Sequence, residues 1–258
     1  PMLGWSINLF RISGIQLAVH FSFVLLLAVN AFDGYADAGW PGFWWSTAVL
    51  AAFFGCVVLH ELGHCLTAIR FGVHVPRILL LPIGGMAEFD GLPREPRREV
   101  LITVAGPAVN FVIAGLLWLL LPAPAAVEST GAIPTLTESL HLLMNWNLAM
   151  GLFNLLPAFP MDGGRLLRAS LATRLPYLRA TFWAATCGKV MCVLGVAAAL
   201  WLGEPLLVVL FVFIFIVGEM EYRAAQRRER DDAHWREVIA RRFAAAGTDA
   251  DRAPPAGP

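Results

Sequence analysis

The sequence predicts an all-α polytopic membrane protein, with six transmembrane helices and a membrane-associated β-hairpin between helices 2 and 3. Composition is the first reason. Of 258 residues, 58% are hydrophobic and 15% charged, where a soluble domain has about half and about a quarter. The mean hydropathy of +0.65 agrees. The second reason is arrangement: the apolar residues come in runs near the roughly 20 residues a helix needs to cross a bilayer. The third is arginine, which is confined to alternate connections between those runs.

Hydropathy places the spans near Ile15–Phe32, Phe43–Ile69, Val100–Leu121, Leu140–Leu156, Ala180–Leu202 and Pro205–Glu221. Ahead of the first, Trp5 to His20 is mixed in polarity and rich in β-favouring residues, with no cleavable signal pattern. Arg11 precedes span one. Arg70, Arg77, Arg94, Arg97 and Arg98 lie between spans two and three, and Arg165, Arg168, Arg174 and Arg179 between four and five. The connections Asp33–Gly42, Pro122–Ser139 and Gly203–Glu204 contain acidic residues but neither Lys nor Arg. Basic residues collect on the cytoplasmic side of a membrane. The expectation is therefore a multi-pass protein of the cell membrane with both termini in the cytoplasm. Lys189 stands apart as a cation inside span five, which calls for an embedded acidic partner or a functional role.

Between spans two and three, Val73–Leu81 and Met86–Gly91 flank Pro82-Ile83-Gly84-Gly85, two β-prone runs about a Gly-Gly turn. The segment is apolar enough to enter the membrane, where sheet backbone is tolerated only if protein or water satisfies its polar groups. Residues 1–222 thus read as a six-span core and 223–258 as a cytoplasmic tail. Within the tail, Trp235, Val238, Ile239 and Phe243 recur at helical spacing, as in an amphipathic helix on the membrane surface or a solvated charged one. The Pro-rich end is expected to be disordered. A net charge of zero, with no phosphate loop or dinucleotide fingerprint, offers no case for nucleic acid. Cys56, Cys65, Cys187 and Cys192 sit in or beside apolar runs and read as small buried residues, not as a disulfide framework.

The chemistry begins at His60-Glu61-Leu62-Gly63-His64. Two histidines four apart on a helix project from one face within reach of one ion, half of a catalytic zinc site. Glu61 lies beside the first of them, where a carboxylate can act as general base on a water molecule. His, Glu and His in a transmembrane helix cost several kcal/mol if uncompensated, and a metal is the simplest compensation. A catalytic zinc needs a third protein ligand and an open position. The candidate is Asp162, in Asn154-Leu155-Leu156-Pro157-Ala158-Phe159-Pro160-Met161-Asp162-Gly163-Gly164, where two prolines and a Gly-Gly pair break span four on the same side as HELGH. An isolated Asp there would be a turn or helix cap; beside HELGH it reads as a ligand. His20, His74 and His141 lack a spaced partner and read as structural or exposed.

These motifs, together with Ala105-Gly106-Pro107-Ala108-Val109-Asn110 on span three, resemble those of the site-2 protease family over roughly residues 5 to 222. With no PDZ-like domain between spans, the chain is similar to the compact branch of that family. The tail is too short for the paired nucleotide-sensing module that members of the branch often carry. The resemblance implies an intramembrane zinc endopeptidase that cuts the transmembrane helix of a membrane-anchored substrate near the cytoplasmic face. It implies zinc on His60, His64 and Asp162, with Glu61 as catalytic base and Asn154 positioning or stabilising the reacting carbonyl. Gly84, Gly85 and Met86 would hold an unwound substrate as an added strand. Pro107 and Asn110 read as scaffold, a kink and a bridge between helices. By the same analogy the substrate is an anti-sigma factor, a sigma-factor precursor or a remnant signal peptide. The alternatives from other classes are a membrane metal transporter and an inactive scaffold that binds helices.

Overall fold

The computed structural model describes residues 5–82, 84–89, 91, 95–123 and 133–250, with 241–250 described by backbone alone. In order, the elements are strands β1 (Ser6–Ile12) and β2 (Ile15–His20), helix α1 (Phe21–Arg70), strands β3 (Arg77–Leu81) and β4 (Gly84–Glu88), and helices α2 (Pro96–Leu120), α3 (Leu136–Asn154), α4 (Asp162–Ala172), α5 (Tyr177–Leu202) and α6 (Pro205–Ala250). The chain is mostly helical. Helices α1, α2, α5 and α6 are long and apolar enough to cross a membrane, by length and composition. The chain divides into two units, residues 1–157 with 161–174, and residues 158–160 with 175–258. Ile83 of the expected turn, Arg94, the connection 124–132 and the terminal stretch 251–258 lie outside the described residues.

The expectation of an all-α chain with one hairpin is corrected by a four-stranded sheet of order β1-β2-β3-β4. β1 and β2 pair antiparallel, β2 and β3 parallel, and β3 and β4 antiparallel. The first helix consequently starts at Phe21, six residues after the expected Ile15, because Ile15–His20 is β2. Hydropathy cannot separate a buried strand from the start of a span. Ser13 and Gly14, both at positive φ, form the tight turn that pairs β1 with β2. His20 then starts the helix, its Nδ1 accepting the Ser22 backbone N–H at 3.2 Å. Gly84 and Gly85 stand inside β4, not in the turn.

Helix α1 is two arms. Ala38 (φ −143°) and Gly39 (φ +65°) leave helical geometry just before Pro41, and the arms fold back on each other. Phe23 of the first arm meets Phe54 of the second edge to face, with ring centroids 4.5 Å apart. Ser46 donates to the Asn30 carbonyl at 3.1 Å. The second arm packs on the sheet, with Val57, Leu62 and Cys65 joining Leu17, Val19, Ile78 and Leu80 in one apolar core. On the same arm, His60 and His64 meet α2 and the start of α4.

Helix α3 opens with a reciprocal capping box between Thr135 and Glu138 and ends at Asn154 ahead of Pro157 and Pro160. Helix α4 is tied to α2 by a buried ion pair, Arg168 Nε to Glu99 Oε1 at 2.9 Å. In the second unit, Gly203 in the left-handed region closes α5, with Gly203 N–H on Leu200 O and Glu204 N–H on Ala199 O. Lys189 of α5 finds its acidic partner in Glu219 of α6, which also binds Arg223 at 2.6 Å. Helix α6 continues unbroken from the apolar run into the charged segment.

The Glu99–Arg168 pair generates a stability prediction. Arg168→Met leaves a buried carboxylate unpaired, at a cost of about 3–5 kcal/mol. Thermal unfolding in detergent is expected to show a clear fall in midpoint, larger than for Arg174→Met on the exposed end beyond α4.

Candidate metal centre

His60 and His64 lie one helical turn apart on the second arm of α1, 3% and 4% exposed, and Asp162 opens α4 at 7%. Two segments distant in sequence thus deliver three donor atoms to one point. His60 Nε2 and His64 Nε2 are 3.2 Å apart. Asp162 Oδ2 is 3.3 Å from the first and 3.1 Å from the second. Donors about 2.0–2.2 Å from a tetrahedral zinc are separated by roughly 3.3–3.5 Å, so the triangle has the dimensions of one face of such a site. Among the described residues this is the only group of three or more His, Cys, Asp or Glu so gathered.

Each imidazole is held from behind. His64 Nδ1 lies 2.7 Å from the Ile102 carbonyl oxygen of α2, which can only accept, so Nδ1 donates and Nε2 is free to ligate. His60 Nδ1 bonds Asn110 Oδ1, also on α2. The helices come together through missing side chains. A β-carbon on Gly63 would stand 2.7 Å from the Ala105 carbonyl oxygen, and one on Gly106 would overlap the His64 ring. The Glu61 side chain lies against β4, where a β-carbon on Gly85 would overlap it. Strand β4 is the edge of the sheet, so an open strand edge passes directly beside Glu61.

The structure brings His60, His64 and Asp162 together, and sets Glu61 and Gly85 in contact beside them. Asn154 is half-buried at the last position of α3 and makes no side-chain hydrogen bond to another described residue. Gly84 and Met86 flank Gly85 on β4, with Met86 exposed. Cys65 belongs to the apolar core, not to the donor group. Asn110 does bridge two helices, bonding Asn147 of α3 at 3.0 Å, and in addition it holds His60. Asn147 and Glu99 were not singled out by the sequence. Their signal is the rule that an amide or carboxylate in an apolar helix needs a partner, but that rule does not name the partner.

The glycine contact yields a direct test. Gly106→Ala is expected to displace the His64 ring and cut the metal content of the purified protein severalfold, measured by inductively coupled plasma mass spectrometry. Gly115→Ala, with open space around its α-carbon, is expected to keep full content.

The Peptidase family M50 model matches residues 48–130 and 124–196. A zinc metalloprotease of Methanocaldococcus jannaschii is 39% identical over 224 residues, 87% of this chain and 62% of that protein. Stage IV sporulation protein FB of Bacillus subtilis is 30% identical over 65% of this chain and 56% of its own length. The chain therefore spans less than two thirds of these curated relatives. Among solved structures, the site-2 protease from Methanocaldococcus jannaschii superposes with a TM-score of 0.60 at 35% identity, covering 84% of this chain and 95% of that one. With the buried His60–His64–Asp162 group beside Glu61, these matches establish that the chain belongs to peptidase family M50.

Proposed function

We propose that the chain is an intramembrane zinc endopeptidase, acting on a peptide bond in the transmembrane helix of a membrane-anchored protein. The observation that carries this reading is the buried His60–His64–Asp162 triangle with Glu61 next to it, on an arm of an apolar helix. The donor set, two neutral imidazoles and one carboxylate, suits zinc and leaves a position open. Zinc held there supplies Lewis acidity, acidifying water and polarising a carbonyl. The chain's own residues do the rest. His60, His64 and Asp162 hold the ion, and Glu61 accepts a proton from the attacking water and delivers it to the leaving amine nitrogen. Asn154, at the end of α3, is assigned to the reacting carbonyl.

The substrate is proposed to lie along β4. Gly84, Gly85 and Met86 belong to an edge strand, and an edge offers unpaired N–H and C=O groups to an extended chain. Unwinding the substrate helix exposes its backbone, and added-strand pairing satisfies it where water is scarce. We assign six spans: the two arms of α1, then α2, α3, α5 and α6, with residues 1–222 as the catalytic core and 223–258 as the tail. The arginines beside the spans support a cytoplasmic position for both termini and for the end of the second arm that bears the metal centre. A membrane-tethered transcription regulator such as an anti-sigma factor or sigma-factor precursor, or a remnant signal peptide, is the proposed substrate class.

Glu61→Gln tests the mechanism. Co-reconstituted in liposomes with single-span test substrates, the variant is expected to lose about 10²–10⁴-fold in cleavage rate while its zinc content stays normal. Cleavage that survives the substitution would sink the assignment of Glu61.

A further inference from the structure

Behind His60 a chain of hydrogen bonds crosses from α3 to α2. Asn147 is fully buried on α3, and its Nδ2 donates to the Leu143 carbonyl at 2.8 Å. A carbonyl oxygen only accepts, so the amide nitrogen of Asn147 faces it and Oδ1 turns toward α2. There Oδ1 accepts from Asn110 Nδ2 at 3.0 Å. The same Asn110 nitrogen lies 3.4 Å from Met150 Sδ, another acceptor. Asn110 Oδ1 is left facing His60 Nδ1, and His60 Nε2 faces the donor triangle.

The direction of this chain matters because an amide is ambiguous by itself. Asn110 with its amide reversed would donate to His60 Nδ1, and the ring proton would move to Nε2, the nitrogen required for ligation. His64 avoids the ambiguity, since Ile102 offers it a backbone carbonyl directly. His60 obtains its fixed polarity only two side chains away, at Leu143.

We propose that Asn147 is a positioning residue of the metal centre. Anchored on the Leu143 carbonyl, it sets the orientation of the Asn110 amide and so keeps His60 in the tautomer whose Nε2 ligates. This rests on the metal-centre reading above and adds to it a dependence on α3, which contributes no ligand.

The test is zinc affinity of the detergent-purified full chain, by competition with a chromophoric chelator. Asn147→Leu removes the anchor and is expected to weaken zinc binding about 10- to 100-fold. Asn147→Ser, whose hydroxyl can bond the Leu143 carbonyl but is too short to reach Asn110, is expected to lose affinity likewise, and serves if the leucine variant does not fold. Asn147→Asp keeps an acceptor oxygen for Asn110 Nδ2 in either protonation state, and so keeps the Asn110 amide in the same orientation. It is expected to stay within about threefold of the unsubstituted protein. Equal losses in the Ser and Asp variants would reduce Asn147 to a packing residue and overturn the proposal. So would unchanged affinity in the Leu or Ser variant. An unsubstituted chain that takes up no zinc would overturn the metal-centre reading, and the role of Asn147 with it.

Discussion

Two imidazoles and a carboxylate within 3.3 Å of one another, enclosed by an apolar bundle, set the conditions that the surrounding architecture must meet. Polar groups removed from water carry a penalty of several kcal/mol unless each finds a partner, and here the partners must also leave three lone pairs pointing at one place. The structure meets this by backing each ring with an acceptor on α2, Ile102 O for His64 and Asn110 Oδ1 for His60. It also draws α2 close enough to do so by omitting side chains at Gly63 and Gly106. A divalent cation at their common centre would satisfy the carboxylate and both rings.

The remaining elements can be ranked by their distance from that cluster. The sheet packs on the second arm of α1 through Val57, Leu62 and Cys65, while α2 and α4 meet His60 and His64. The break after α3 frees Asp162 to start a new helix, and Glu99–Arg168 ties that helix back to α2. Asp162 is thus not held by the metal site alone; its helix has an independent anchor, two turns away. A short helix would otherwise have little to fix its rotation.

Much of this was legible in the sequence, and the reasons differ from element to element. Runs such as Val100–Leu121 matched α2 closely, because a membrane-length apolar segment admits few other structures. HELGH and the broken stretch around Asp162 could be joined because both lay on the same side of the membrane by the arginine pattern. The sheet was half visible. β3 and β4 carried a turn signal, but β2 merged into the following apolar run, and its parallel pairing with β3 joins segments separated by all of α1. Asn147 was hidden for another reason: Asn145 and Asn147 look alike in sequence, and only the fold shows which one meets Asn110.

The contact between Gly85 and the Glu61 side chain has a consequence for how a substrate would be read. On the proposed mode of binding, a chain laid along β4 is an extended strand, and its side chains alternate between two faces. One set would face the arm that carries Glu61 and the other would face away. Selectivity would then be written at every second position of the cleaved segment, so substrates with no contiguous motif in common could still share one alternating pattern of side-chain size.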